Sequence, residues 1–246
     1  MLRLASVSKR FDNGTLALDG ISTKIDTGEF VALLGPSGCG KSTLLRLLAG
    51  LETPSDGQIA WDEGKQPGPG GIGFVFQDAT LLPWADVAEN VYLPLRLRGQ
   101  SRADAAPRVQ TALAQVGLVD FAAMRPKALS GGMKMRVSIA RALVSNPLVL
   151  LMDEPFAALD EFTRHRLQED LHALWRQSGK TVVFVTHSIY EAAFLASRIL
   201  VMSPRPGRIA ADIRTNIPEG QDRRSTAEYV SLVAQVTDTF RQVMPA

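Results

Sequence analysis

The chain has 246 residues, which at about 150 residues per domain makes one large domain or a core with one insertion. Its 46% hydrophobic and 21% charged residues exclude a disordered chain and a disulfide scaffold. The 27 Lys and Arg against 25 Asp and Glu leave +2, giving no electrostatic reason for wholesale nucleic-acid binding, and one cysteine points to a reducing compartment.

In chain order, apolar or β-branched runs at 2–7, 30–34, 73–76, 149–152, 181–185 and 199–202 read as strands. Helical patterns at 42–49, 102–116, 132–144, 161–177 and 190–196 alternate with them. Apolar strands separated by helices predict a parallel sheet covered on both faces, an α/β core. The first residues carry Arg3, Lys9 and Arg10 and no apolar stretch of signal-peptide length. The most apolar stretch, 142–152, contains Ser145, Asn146 and Pro147 and falls short of the about 20 residues a spanning helix needs. The expectation is a soluble, cytoplasmic chain able to dock onto a membrane protein.

Residues 86–128, with Pro94, Pro107, Pro126 and a helical stretch but no strand, read as a helical insertion. After 219, Tyr229, Val233, Val236, Phe240 and Val243 recur at spacings of 4, 3, 4 and 3, one helix face. Packing on the core is expected of it, with dimerisation the alternative.

Gly35-Pro-Ser-Gly-Cys-Gly-Lys-Ser42 fits G-x-x-x-x-G-K-[ST], follows the strand at 30–34 and opens the helix at 42–49. Glycines at 35, 38 and 40 are expected to take positive φ and turn N–H groups onto an anion. The helix behind them aims its positive end at the same phosphates. Lys41 would reach the β- and γ-phosphates and the Ser42 hydroxyl would ligate Mg²⁺. Cys39 reads as a small loop residue offering its N–H to phosphate.

The strand at 149–152 ends in Asp153 and Glu154. The carboxyl ends of such strands border the ligand crevice. Alternation along a strand sends the two acids to opposite faces, so different jobs are expected. Asp153 suits the Mg²⁺ shell and Glu154 the polarising of an attacking water.

Three more segments narrow the class. Leu129-Ser-Gly-Gly-Met133 precedes a helix, a second anion-binding terminus suited to a partner's nucleotide. Gln77 ends the strand at 73–76, placed for the metal or water. His187 follows the strand at 181–185, suited to the γ-phosphate, whereas solvent exposure explains His165 and His172. Trp61 and Trp175 read as packing residues.

Together these segments resemble the ATP-binding subunit of ABC transporters over nearly the whole chain. Residues 35–43 (Gly35, Pro36, Ser37, Gly38, Cys39, Gly40, Lys41, Ser42 and Thr43) resemble the Walker A loop, Gln77 the Q-loop, and 129–133 the signature motif. Residues 149–154 resemble Walker B, 158–160 the D-loop, His187 the switch histidine, and Phe11 the aromatic that stacks on adenine. The resemblance implies a phosphate-loop NTPase, RecA-like core with an N-terminal antiparallel β subdomain and an inserted helical subdomain. Residues 1–85 and 149–218 would form the nucleotide-binding core, 86–148 the helical and signature part, and 219–246 a C-terminal helix. It further implies ATP and Mg²⁺ as cofactors, with Ser42, Gln77 and Asp153 at the metal and Glu154, His187 and Lys41 catalytic. A head-to-tail dimer would sandwich each ATP between Lys41 of one copy and Ser130, Gly131, Gly132 and Met133 of the other.

Two positions depart from the family pattern, Met135 where Gln is usual and Ala157 where Ser is usual; neither is a phosphate or metal ligand. Residues 75–84 and 87–91, with 202–208, resemble the nitrate/sulfonate/taurine importer group. Leu81, Leu82, Pro83 and Trp84 would then line an apolar groove for a permease helix, with the boundary of the insertion as the plainer role. Implied partners are a second copy, transmembrane permease subunits and, indirectly, a solute-binding protein. The implied location is peripheral, at the cytoplasmic face of the inner membrane. Competing readings are a soluble ABC-type ATPase outside transport, and a phosphate-loop kinase or GTPase acting alone. Against the first stand the single cassette, the lack of a coiled-coil arm and the balanced charge. Against the second, no second-substrate lid is evident and 130–133 would stand idle.

Overall fold

The computed structural model describes residues 2–61, 67–68, 70–218 and 223–244. They form two compact units, Met1–Gln66 with Thr181–Ala246, and Pro67–Lys180.

In the first unit, β1 (Leu2–Arg10), β2 (Leu16–Ile25) and β4 (Asp56–Trp61) form an antiparallel sheet in the order β2-β1-β4. Leu2, Leu4 and Val7 of β1 are buried, and the step from Leu4 to Val7 breaks simple alternation because Ser6 sits at φ 48 in a register shift. Neither β2 nor β4 is predicted from the sequence. Gly20, at φ 63, interrupts β2, and none of the six residues of β4 is buried, so no apolar pattern marks it.

β3 (Phe30–Leu34) lies parallel to β7 (Thr181–Thr186) on one side and to β8 (Arg198–Met202) on the other. β9 (Ile209–Arg214), also unpredicted, runs antiparallel along β8. Every residue of β3, β7 and β8 is buried, which is why these strands read as continuous apolar runs. Phe30 and Phe184 meet at a centroid distance of 5.8 Å. Helix α1 (Lys41–Leu48) buries Leu44, Leu45, Leu47 and Leu48, each burial stabilising by about 1.5–3 kcal/mol.

Arg198 is buried, donating to Asp212 at 2.8 and 2.6 Å, to Lys24 O at 2.6 Å and to Glu29 at 3.3 Å. Its guanidinium, bonded to the Asp212 side chain, holds that carboxyl below the usual carboxylate range.

The unit closes with α6 (Ile189–Leu195) and α7 (Ala227–Val243). α7 packs against α6 and buries Tyr229, Leu232 and Val236, so the predicted face is shifted: Val233, Phe240 and Val243 are half-buried. The expected boundary at 219 lies outside the described residues.

In the second unit, β5 (Ile72–Val75) pairs in parallel with β6 (Val149–Asp153). Four helices accompany them: α2 (Val87–Leu97), α3 (Arg102–Gln115), α4 (Gly131–Leu143) and α5 (Glu161–Ser178). Each begins at a side-chain cap: Asp86, in a capping box with Glu89, then Ser101, Ser130 and Asp160. Pro94 inside α2 hid that helix from the sequence pattern, although Val87, Val91 and Leu95 give it a buried stripe. Among the described residues, no helix is long and apolar enough to cross a membrane.

Candidate nucleotide site

The phosphate loop sits between the buried strand β3 and helix α1, in the first unit. Gly38 and Gly40 have φ 75 and 106, as their flexibility was expected to allow. Gly35 does not have positive φ. A Cβ there would lie 2.8 Å from Cys39 Sγ and 3.2 Å from Met202 O, so this glycine answers to close packing. Lys41 is buried, 4% exposed, and its ammonium donates to Gly35 O at 2.8 Å and Pro36 O at 2.9 Å. The charge is thus wrapped inside its own loop.

Cys39 is buried, with its N–H 3.4 Å from Pro36 O. Pro36, Ser42 and Thr43 are half-buried, and Ser37 and Gly38 are exposed. A second segment braces the loop: Arg205 Nε donates to Gly38 O at 3.1 Å, and a Cβ on Gly207 would meet Cys39 O at 2.2 Å. Phe11 is half-buried at the end of β1, with Lys9 Nζ 5.4 Å from its ring centroid.

His187, exposed, follows β7. Its neighbours fix its backbone: Thr186 Oγ1 donates to buried Glu191 at 2.6 Å and accepts from Ser188 N at 3.0 Å. His165 is exposed as expected, but His172 is half-buried, 5.6 Å from the Trp175 ring. Trp61 and Trp175 are half-buried, in line with packing roles.

In the second unit, Asp153 is the last residue of β6 and half-buried. Glu154 lies beyond the strand with φ 44, so a left-handed backbone aims its side chain, and the argument from strand alternation does not apply. The D-loop that follows is clasped by Arg164, donating to Phe156 O at 3.3 Å and Leu159 O at 2.7 Å. Asp160 caps α5 by accepting from Thr163 N at 2.9 Å, and that bond holds its carboxyl below the usual range.

Ser130 and Gly131 are exposed at the start of α4, with Ser130 Oγ accepting from Met133 N at 3.2 Å. Gly132 is buried, and a Cβ on it would lie 2.4 Å from Thr163 Cγ2, so packing against α5 demands glycine there. Gly73 likewise faces Ala142 O at 2.8 Å. Met135 is 4% exposed, a core side chain of α4, which gives its departure from the family pattern a packing explanation. Ala157, the other departure, is exposed.

Gln77 is exposed, two residues past the end of β5 rather than on it. An apolar groove of about 270 Å³ lies along α2 and α3, lined by Ala88, Tyr92, Val109, Leu113 and Val119 among others. None of the four residues at 81–84 lines it; Trp84 stands 71% exposed.

Sequence reasoning did not single out Arg141, Asn90, Arg164 or Arg205. For Arg141 one signal was available, a cation within the otherwise apolar run 139–144. The others are ordinary surface residue types until the fold places a carbonyl in front of them.

A buried parallel strand, a glycine loop enclosing a lysine and a helix starting at that lysine define a phosphate-loop NTPase. A family model described as ABC transporter matches residues 18–157. The chain is 48% identical over 221 residues to the taurine import ATP-binding protein TauB of Rhizobium johnstonii, covering 88% of this chain and 84% of that protein. It is 45% identical over 224 residues to the nitrate import ATP-binding protein NrtD of a Synechocystis species, 91% and 84% covered. Among solved structures it resembles the cassette MJ0796, dimeric and bound to ADP and Pi after hydrolysis. There the TM-score is 0.77 at 36% identity, covering 88% of this chain and 99% of that one. The chain belongs to the ABC transporter family, as an ATP-binding subunit that hydrolyses ATP.

Proposed function

We propose that this ATPase is the motor of a membrane importer for a small anionic or organic solute. Two copies would assemble head to tail on permease subunits at the cytoplasmic face of the inner membrane, with a solute-binding protein delivering the cargo. The observation that carries this reading is the apolar groove along α2 and α3, of a size to take side chains of a permease helix. Similarity to taurine and nitrate import subunits supports it. In functional terms, 1–85 with 149–218 form the catalytic core, 86–148 the part that meets the permease, and 219–246 a C-terminal helix.

Lys41 and the N–H groups of the 35–43 loop, Pro36 having none, hold the phosphates, with Phe11 against the base. Ser130, Gly131, Gly132 and Met133 meet the nucleotide of the other copy. ATP bridging two positive helix starts favours the closed dimer, and hydrolysis removes the bridge.

Ser42, Asp153 and Gln77 offer hard oxygen donors, which suit Mg²⁺. When bound, Mg²⁺ would neutralise charge on the β- and γ-phosphates. Glu154 orients the attacking water and accepts its proton, while His187 steadies the γ-phosphate.

Glu154→Gln is expected to bind ATP like the parent, to accumulate as dimer and to hydrolyse about 10²–10⁴-fold more slowly. Nucleotide titration, size-exclusion chromatography and phosphate release read the three effects. Parental hydrolysis by the variant sinks the base assignment.

A further inference from the structure

We infer that Arg141 is a positioning residue that ties helix α4, whose first turn carries the Ser130–Met133 motif, to the loop carrying Gln77. This rests on the reading that Gln77 and Ser130–Met133 each meet a nucleotide.

Arg141 lies in the last turn of α4. Its guanidinium donates to Thr80 O at 2.9 Å, Ala79 O at 2.8 Å and Thr80 Oγ1 at 2.9 Å. These are neutral oxygens, and burial alone pushes the guanidinium below its ordinary pKa, yet an arginine stays charged at any working pH. A cation drawn out of water toward backbone carbonyls is costly unless the bonds are made, so the link holds firmly.

The point of attachment is strained. Thr80 has φ 45, and a β-branched residue in the left-handed region is a genuine outlier. Arg141 binds both the carbonyl and the hydroxyl of that residue.

A second clamp holds the other end of the loop. Asn90 of α2, fully buried, accepts from Leu82 N at 2.8 Å and donates to Leu82 O, Ala85 O and Asp86 O. Residues 79–86 are therefore fastened by side chains from two helices, whereas Phe76, Gln77 and Asp78 before them are exposed. A shift of α4 carries its Arg141 end with it as a rigid rod and reaches Thr80, three positions from Gln77. A lysine could not reproduce the link, because its single ammonium lacks the planar fork that spans separate acceptors.

The test uses the full-length ATPase, with kcat and KM for ATP and the melting temperature as readouts. Arg141→Gln is expected to lower kcat about three- to thirtyfold with KM within about twofold of the parent. Arg141→Lys, which keeps charge and bulk, falls between. Thr80→Gly alone stays within about twofold of the parent, because glycine holds φ 45 without restraint. In the Arg141→Gln background, Thr80→Gly changes kcat no further, because the guanidinium that residue 80 would have met is already gone; parental kcat in Arg141→Gln overturns the inference. Should Arg141→Gln not fold, Arg141→Lys decides: parental kcat overturns the link, and reduced kcat at unchanged KM supports it. Gln77→Ala separates the two layers. If it leaves kcat unchanged, the reading of Gln77 has failed; if it lowers kcat while Arg141→Lys does not, the link alone has failed.

Discussion

The two compact units hold their candidate nucleotide residues by different means. In the first, close packing shapes the phosphate loop: Gly35 and Gly207 leave no room for a side chain and β3 behind the loop is wholly buried, with Lys41 and Arg205 bonding its carbonyls in addition. In the second, single polar side chains grip loops by their carbonyls, Arg141 at Ala79 and Thr80, Arg164 at Phe156 and Leu159, Asn90 at Leu82 to Asp86. A loop built into close packing cannot be altered without disturbing the fold. A loop held by a few hydrogen bonds, each contributing about 0.5–1.5 kcal/mol, can change position while the fold stands. That difference suits a fixed anion site in one unit and movable couplings in the other.

Three substitutions probe the contrast, in decreasing order of expected effect on stability. Gly207→Val in the first unit drives a side chain onto Cys39 O, 2.2 Å from the Cβ position. It is expected to cost about 3 kcal/mol or more, roughly 6–12 °C in Tm for a chain of this size, and to abolish ATP binding. Parental melting and nucleotide affinity would break the claim that packing sets this loop.

Arg198→Met is expected to cost about 2 kcal/mol, because it leaves Glu29 and Asp212 without their buried cation while Asp212 remains partly solvated. The pH dependence follows from the lowered Asp212 value. A carboxyl depressed in the fold contributes fully above its unfolded pKa of about 3.9 and loses that contribution as pH falls through the folded value. The Tm of the parent should therefore decline on acidification below about pH 4, and that of Arg198→Met less steeply. Parallel declines in the two proteins would remove Arg198 as the cause.

Trp84→Ala in the second unit should change Tm and basal ATPase least, within about 0.5 kcal/mol, since the ring is 71% exposed. Solute uptake with the permease is where its loss should appear. Unchanged assembly and uptake would confine permease contact to the groove along α2 and α3.

Much of the candidate site was legible in residue order because the chemistry it is read for is local. A phosphate loop needs its glycines, lysine and serine within eight consecutive positions, and β3 was read at its observed bounds because every one of its side chains is buried. The edge and surface elements β2, β4 and β9 were not legible, since half-buried strands with few apolar positions leave a weak pattern. Some residues were read for one reason and stand for another. Gly35 and Gly132 are glycine because a neighbour occupies the place of a Cβ. Met135, which looked like a departure at the signature, is a core side chain.

The sequence by itself determined the chemical parts: a phosphate loop, paired acids, a serine–glycine helix start and the α/β alternation that carries them. These follow from side-chain chemistry and hydrophobic period, both readable in order along the chain. Only the tertiary structure decided how the parts are held: the left-handed backbone at Glu154 and Thr80, the arginine and asparagine clamps, and the position of the groove. A hydrogen bond from Arg141 to a residue 61 positions away has no local signature. It exists because folding brings a half-buried cation and a strained turn within 3 Å of each other.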